Sequence, residues 1–412
     1  MKKILFIYFS FFFLIGSFVF LVTINSTGEE VPGEEISYYH FKLYENDISL
    51  LEEQAVFNYA ILSGQYDRSI MLAAVGDIMI HSPQVSSAYV KEDNTYDFLS
   101  NYSYVASYIQ EADFAIANLE TTLAGEAYVF SGYPLFNSPP ELASALKQSG
   151  FDLLATANNH SLDRGLDGVL NTIEHIEEAG LNHVGTARSP EERERGFILS
   201  RNDIKIAFYA YTYGTNGLPI PSGRDYLVSL IDEDLIRADV ERAKNVDGVD
   251  LVIINMHWGN EYERLPSGSQ REMAERLIDM GVNVIIGSHP HVIQPAEIIK
   301  TETAEGLVLY SLGNFISNQR WQYTDSGVIA FINILKNPAL GTLQVSLHEI
   351  IPTWVNRYLE NGRWKYKILP VKEVLDHHDA KKEYNLSEMD YHRIKEVLNE
   401  TEDIFWHYWH DE

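Results

Sequence analysis

The sequence predicts an α/β protein built from layers of sheet and helix. Continuous apolar runs such as "VDLVIINMHW" and "VNVIIGS" read as strands buried on both faces. Helix-like stretches such as "GLDGVLNTIEHIEEAG" and "QREMAERLIDMG" alternate with them. From "GVIAFINILK" to "YKILPV" the pattern becomes strand-like with little helix, and these residues are expected to close a second sheet.

In chain order, "MKK" precedes an uncharged apolar run over residues 4–24. About 20 such residues span a bilayer as a helix. Lys2 and Lys3 favour a cytoplasmic N-terminus, with the rest of the chain outside the cell. The run is long for a signal peptide, and "TINSTGEE" lacks a small-residue cleavage site. Residues 1–24 are therefore expected to be a transmembrane anchor of a single-pass cell-membrane protein. Residues 25–69 read as a polar linker, "NSTGEEVPGEEI", and a helical spacer, "DISLLEEQAVFNYAILS". The main domain is expected over residues 70–335, with a β and helical extension of it over 336–412.

Within the main domain, apolar runs end in polar tips. "MLAAVGD" leads to Asp77 and His81, and "ADFAIANLE" to Asn118 and Glu120. "FDLLATANNH" leads to Asn158, Asn159, His160 and Asp163. His257 follows "VDLVIINM", and His289 and His291 follow "VNVIIGS". Ligands of open α/β folds bind outside the carboxyl ends of the strands. Singly, each residue has a bland explanation: Asp77 as a turn former, Glu120 as a helix-start acid, Asn159 as a cap, His257 as a core histidine. Together they describe a metal site. In "GSHPH", proline is expected to hold the segment extended, so that both imidazoles point to one side.

Composition limits the alternatives. The chain has 412 residues and no cysteine, which excludes disulfides, thiolate zinc sites and cysteine nucleophiles. Its 59 acidic against 31 basic residues give a formal charge of -28, which argues against nucleic acid as a partner. Imidazole, carboxylate and amide ligands without sulfur suit Mn, Fe or Zn. There are enough of them for two divalent ions sharing a carboxylate, an arrangement that clamps an ester and generates hydroxide. His160 is then free to protonate a leaving group.

"GDIMIHS", "NLE", "ANNHSLDRG", "MHWGNEY", "GSHPHVIQP" and "YSLGNFI" resemble, in order and spacing, motifs of the CapA/PgsA family. The resemblance covers about residues 70–335. It implies a calcineurin-like metallophosphoesterase fold and a role in capsule or poly-γ-glutamate synthesis. It also implies membrane-embedded synthase subunits as partners, and an anionic polymer or a phosphoester as substrate. By this resemblance Asp77, His81, Glu120 and His291 hold one ion. Glu120, Asn159, His257 and His289 hold the other, His160 is the acid oriented by Asp163, and Arg164 and Glu261 are substrate contacts. Two motifs depart from the wider metallophosphoesterase pattern. Asp-x-His is stretched to Asp-x-x-x-His, and the second strand ends Asn-Leu-Glu instead of Gly-Asp. A non-catalytic assembly or export subunit, and a secreted general phosphodiesterase, are the competing expectations.

Overall fold

The structure, a computed structural model, describes residues 6–14, 17–25, 68–337 and 342–408. The chain divides into two units, Met1–Asp67 and Arg68–Glu412. In the first, β1 (Phe6–Leu14) pairs antiparallel with β2 (Ser17–Asn25). A spanning helix was the expectation for this run. Among the described residues no helix is long and apolar enough to cross a membrane. Phe, Tyr, Ile and Val dominate both strands, and such residues favour extended backbone over helix when only local preference decides. The expected spacer helix lies outside the described residues.

The second unit begins with β3 (Ser69–Ile78) and a small ribbon, β4 (Tyr89–Val90) and β5 (Thr95–Tyr96). Then come β6 (Phe114–Leu119), β7 (Leu153–Ala155) and β8 (Asn182–Val184), which extend from β3 as parallel strands. A second sheet follows from β9 (Phe197–Arg201), β10 (Ile204–Thr212), β11 (Leu251–His257), β12 (Val284–Ser288), β13 (Ala296–Lys300) and β14 (Glu305–Leu309). Its order is β13-β14-β12-β11-β10-β9; the four central strands are parallel and the two edges antiparallel. The chain then returns to the first sheet through β15 (Asn314–Ile316), β16 (Ser326–Lys336), β17 (Leu343–Glu360) and β18 (Arg363–Pro370).

This return corrects one expectation. The strand-rich C-terminal stretch does not close the second sheet. It extends the first, with β16 antiparallel to β3 over Ile329–Leu335. The second sheet is made by the central runs themselves, closed by the short edge strands β9 and β13.

Alternation along each strand fixes the layers. Ile70, Leu72 and Ala74 of β3 meet Ile206, Phe208, Ile253 and Ile286 between the sheets. Ala73 and Val75 face outward onto Leu142 and Leu146 of the Glu141–Gln148 helix. On the second sheet Tyr209, Ile254 and Ile285 face outward onto Val240 of the Glu233–Asn245 helix and Leu277 of the Gly268–Asp279 helix. The result is a helix–sheet–sheet–helix sandwich. Because strands are covered on both faces, they read as unbroken apolar runs. The Glu388–Phe405 helix packs on Trp354 and Leu369 through Ile394 and Val397, and its last residues enter the core between the sheets.

One glycine controls how the first strand delivers its carboxylate. β3 and β6 shift register between Val75 and Asp77, and a Cβ at Gly76 would lie 1.9 Å from the Gly313 carbonyl oxygen. Backbone cannot yield that far, because Asp77 N–H donates to the same oxygen at 2.9 Å. Gly76→Ala is therefore expected to cost about 3 kcal/mol or more. Thermal unfolding and soluble yield check this, and a melting temperature within a degree or so of wild type would contradict it.

Candidate metal centre

The carboxyl ends of β3, β6, β11 and β12 converge on one edge. Register sets Asp77 beside Asn118, and His257 beside Ser288. Asn118 Nδ2 donates to Asp77 Oδ1 at 2.8 Å and to Glu120 Oε2 at 3.3 Å, so one amide separates two buried carboxylates. Asn158 Nδ2 donates to the Leu119 carbonyl at 2.7 Å, which fixes the backbone just before Glu120. Asp77 Oδ2 lies 3.0 Å from His291 Nδ1.

Donor atoms fall into two overlapping groups. Glu120, His257 and His289 offer ligand atoms within 4.8 Å of one another, and so do Asp77, Glu120 and His291. Glu120 belongs to both. All five residues are buried, and Glu120 Oε1 and His289 Nδ1 have no hydrogen-bond partner. Buried polar atoms are seldom left unpaired. Asn159 Oδ1 lies 2.9 Å from His257 Nε2, placing the amide oxygen beside the first group. Ser288 Oγ, 3.0 Å from His257 Nδ1, orients that ring.

Electrostatics agree with a cation site. Burial first, and then the Asp77 and Glu261 charges, push Glu120 well above the usual carboxylate range. Burial, reinforced by neighbouring imidazoles, holds His257 well below its ordinary value and lowers His289 to about 3. The imidazoles are thus neutral at physiological pH, with lone pairs to offer, and the two acids repel each other. A divalent cation resolves both conditions at once. The residues present fit such an ion.

The "GSHPH" segment reaches this geometry by a different route from the expected one. His289 has φ +97° and His291 φ +58°, so the segment is not extended. Their ring centroids are still 5.9 Å apart, each turned into the cluster. Tyr262 N–H donates to the Pro290 carbonyl at 2.8 Å, and His289 N–H to Asp77 Oδ2 at 3.4 Å. These bonds hold backbone that costs of order 1–3 kcal/mol per residue.

His81 is in neither group, although the His291 and His160 imidazoles act on it electrostatically. Its Nδ1 accepts from Asn318 N–H at 3.3 Å, and its ring meets Phe136 edge-on at 5.2 Å. His160 Nδ1 lies 2.7 Å from Asp163 Oδ2, which also accepts from Phe136 N–H at 2.6 Å. Arg164 Nη2 donates to Ser131 Oγ and to the Leu135 carbonyl at 2.9 Å, so the guanidinium braces that loop. Glu261 is exposed, and its carboxylate is within 4.8 Å of ligand atoms of His289 and His291.

The sequence pointed past some of the supporting residues. Phe136 and Tyr213 carry no motif signal, and Ser288 lies inside "GSHPH" without being singled out. Tyr213 is half-exposed, with its ring 4.6 Å from that of His289. Tyr262 lies 6.1 Å from the His291 ring and 5.5 Å from Trp321. Exposed aromatic faces therefore border the cluster on two sides.

The chain is 28% identical to a capsule biosynthesis protein CapA of Bacillus anthracis over 306 residues, 72% of each chain. It is 28% identical to a PGA biosynthesis protein CapA of Bacillus subtilis over 273 residues, 63% of this chain and 68% of that one. A probable polyglutamine synthesis accessory protein of Mycobacterium tuberculosis is 25% identical over 217 residues, 50% of this chain and 56% of the other. Among solved structures, a novel phosphatase of Mycoplasma pneumoniae superposes with a TM-score of 0.41 at 15% identity, covering 69% of this chain and 94% of that one. At such a score the layering of the two sheets, and not the likeness, carries the fold. The family model for the bacterial capsule synthesis protein PGA_cap matches residues 71–319, from within β3, which carries Asp77, to beyond both histidines of "GSHPH". This chain belongs to that family.

Proposed function

We propose that this protein is a membrane-anchored, extracellular component of capsule or poly-γ-glutamate synthesis that holds two divalent ions, of Mn, Fe or Zn, in a phosphoesterase-like site. One observation carries the reading: two buried sets of carboxylate and imidazole share Glu120, whose Oε1 has no hydrogen-bond partner. The names of the relatives support the biological setting. Asp77, Glu120 and His291 would hold one ion, and Glu120, Asn159, His257 and His289 the other. Two such ions supply a water nucleophile at neutral pH and positive charge for an ester's oxygens.

The chain's own residues do the rest. Asn118 keeps Asp77 and Glu120 apart yet aimed at one point. Ser288 sets the His257 ring. Asp163 accepts at His160 Nδ1 and leaves Nε2 to deliver a proton to a leaving oxygen. Phe136 N–H fixes the Asp163 carboxylate, and the Phe136 ring covers His160 at 4.7 Å. His160→Ala is expected to keep the metal and to lose about 10²–10⁴-fold in ester hydrolysis. Elemental analysis and turnover on a panel of phosphoesters check this, and parallel loss of metal and turnover would move His160 from acid to ligand.

Metal content tests the reading as a whole. Wild-type protein should carry about two equivalents of Mn, Fe or Zn, and His289→Ala fewer, since each ion needs its full ligand set. Less than half an equivalent in both would leave the motifs without their chemistry and favour an assembly or export role. Anchoring has its own support in the uncharged run over residues 4–24 behind Lys2 and Lys3. It predicts that the protein stays with the membrane pellet after alkaline extraction, whereas release into the supernatant would rule out a spanning segment.

A further inference from the structure

The two ligand sets are unequal. His257 and His289 share Glu120 with the Asn159 oxygen close by, so four protein donors stand around one position. Asp77, Glu120 and His291 are three. His81, the imidazole expected to complete them, already accepts from Asn318 N–H and packs its ring on Phe136. The stretched Asp-x-x-x-His spacing explains this: four residues on, the chain has turned to start the Ser82–Ala88 helix, which His81 caps.

We infer that Glu261, on the side of His289 and His291, is a solvent-side carboxylate ligand of the metal centre and not a substrate contact. This rests on the metal reading above. Three observations place it. Its carboxylate lies within 4.8 Å of ligand atoms of both His289 and His291. His289 Nδ1 has no hydrogen-bond partner, on a residue only 4% exposed. The segment carrying Glu261 is also built onto the histidines. Tyr262, at φ +67°, donates its N–H to the Pro290 carbonyl at 2.8 Å. Gln294 Nε2 donates to the Glu263 carbonyl at 2.7 Å, and Gln270 Nε2 to Gln294 Oε1 at 3.1 Å. Gly259, at φ +87°, leaves room for Gln270, which a Cβ would meet at 2.6 Å.

By contrast, Glu177 and Glu192 also flank a histidine, His183, but Arg188 already pairs with both, at 2.6 and 2.5 Å. Glu261 is in no recorded ion pair with a cation among the described residues. As the exposed member of the set, it is the ligand an incoming anionic ester can displace without unfolding anything.

The test is calorimetric titration of the metal-free full chain with Mn²⁺, Fe²⁺ and Zn²⁺ in turn, with elemental analysis, for wild type, Glu261→Gln, Glu261→Asp and His81→Ala. Circular dichroism confirms the fold of each variant. Wild type is expected to take two equivalents. Glu261→Gln should weaken one of the two by at least about tenfold and leave the other unchanged. Glu261→Asp should recover part of the loss, and His81→Ala should bind as wild type. Two undiminished sites in Glu261→Gln, or loss of one in His81→Ala, would overturn the assignment while sparing the metal centre. A wild-type chain that binds none of Mn²⁺, Fe²⁺ and Zn²⁺ would overturn both.

Discussion

Glu120→Gln is expected to raise the thermal stability of the metal-free protein and, in the same variant, to abolish the stabilisation that added Mn²⁺ gives the native chain. The side chain is fully buried, one oxygen has no partner, and Asp77 shares its amide donor. Without a cation this is an uncompensated buried acid beside another, a state worth a few kcal/mol of destabilisation. The amide keeps the shape. Its oxygen still accepts from Asn118, and its NH₂ faces the Nε2 lone pair of His291, 3.8 Å from the present oxygen. A gain on the order of 2 kcal/mol follows, a shift of several degrees in melting temperature. A site ligand at a hundred times its Kd stabilises the native chain by about 2.7 kcal/mol, and the variant forgoes that because both ions lose their shared ligand.

The pH dependence separates this from a general packing effect. Burial, then Asp77, raise the Glu120 carboxyl in the folded state. Its contribution is thus full below its unfolded value near 4.5 and is lost as pH rises toward the raised one. His257, His289 and His81 are shifted the other way, each first by burial, the last two to about 3 and about 4. Their contribution is full above about 6.5 and is lost as pH falls below it. Above about pH 6.5 the histidine contributions no longer change, whereas a raised Glu120 carboxyl still costs stability as pH rises toward it. Metal-free wild type should therefore lose more stability with rising pH than Glu120→Gln does. Parallel curves in a chelator would sink this account.

Much of the site was legible because parallel strands point their carboxyl ends the same way. Any apolar run that ends in Asp, Glu, Asn or His nominates that residue for one edge, and Asp77, Glu120, His257, His289 and His291 all arrive there. What local pattern could not carry was everything decided by neighbours distant in sequence. The edge strands β9 and β13 are short and only partly buried, so their runs gave no clear signal for closing the second sheet. β16 pairs with β3 from more than 250 residues away. Proline biases the residue before it toward extended backbone, yet the Tyr262 and Asp77 contacts hold His289 at φ +97°. The surroundings of His81 and Glu261 escaped local pattern for a similar reason. One turns away into a helix start, and the other is carried in by a loop whose anchor is the Pro290 carbonyl.

In cells that make the polymer, Asp77→Asn is expected to bring capsule output to background at unchanged protein level. The substitution is small in volume but wrong in charge and in donor pattern. Asp77 accepts at both oxygens, from Asn118 Nδ2 at 2.8 Å and from the His289 N–H at 3.4 Å, with His291 Nδ1 at 3.0 Å. An asparagine must turn its NH₂ toward one of these donors, so one contact becomes donor against donor. The ligand set of Asp77, Glu120 and His291 then loses its unshared carboxylate, and carboxylates supply the charge that holds a divalent ion. Thermal unfolding of the purified variant in a chelator supplies the control, because the metal-free fold tolerates losing one of two repelling acids. If that control melts as wild type and polymer disappears, the site acts in synthesis. If the control holds and polymer output is untouched, the ions are dispensable and the chain serves as an assembly or export subunit. The distinction follows because an intact sandwich still presents every outward surface to a partner when a residue buried at the strand ends has changed.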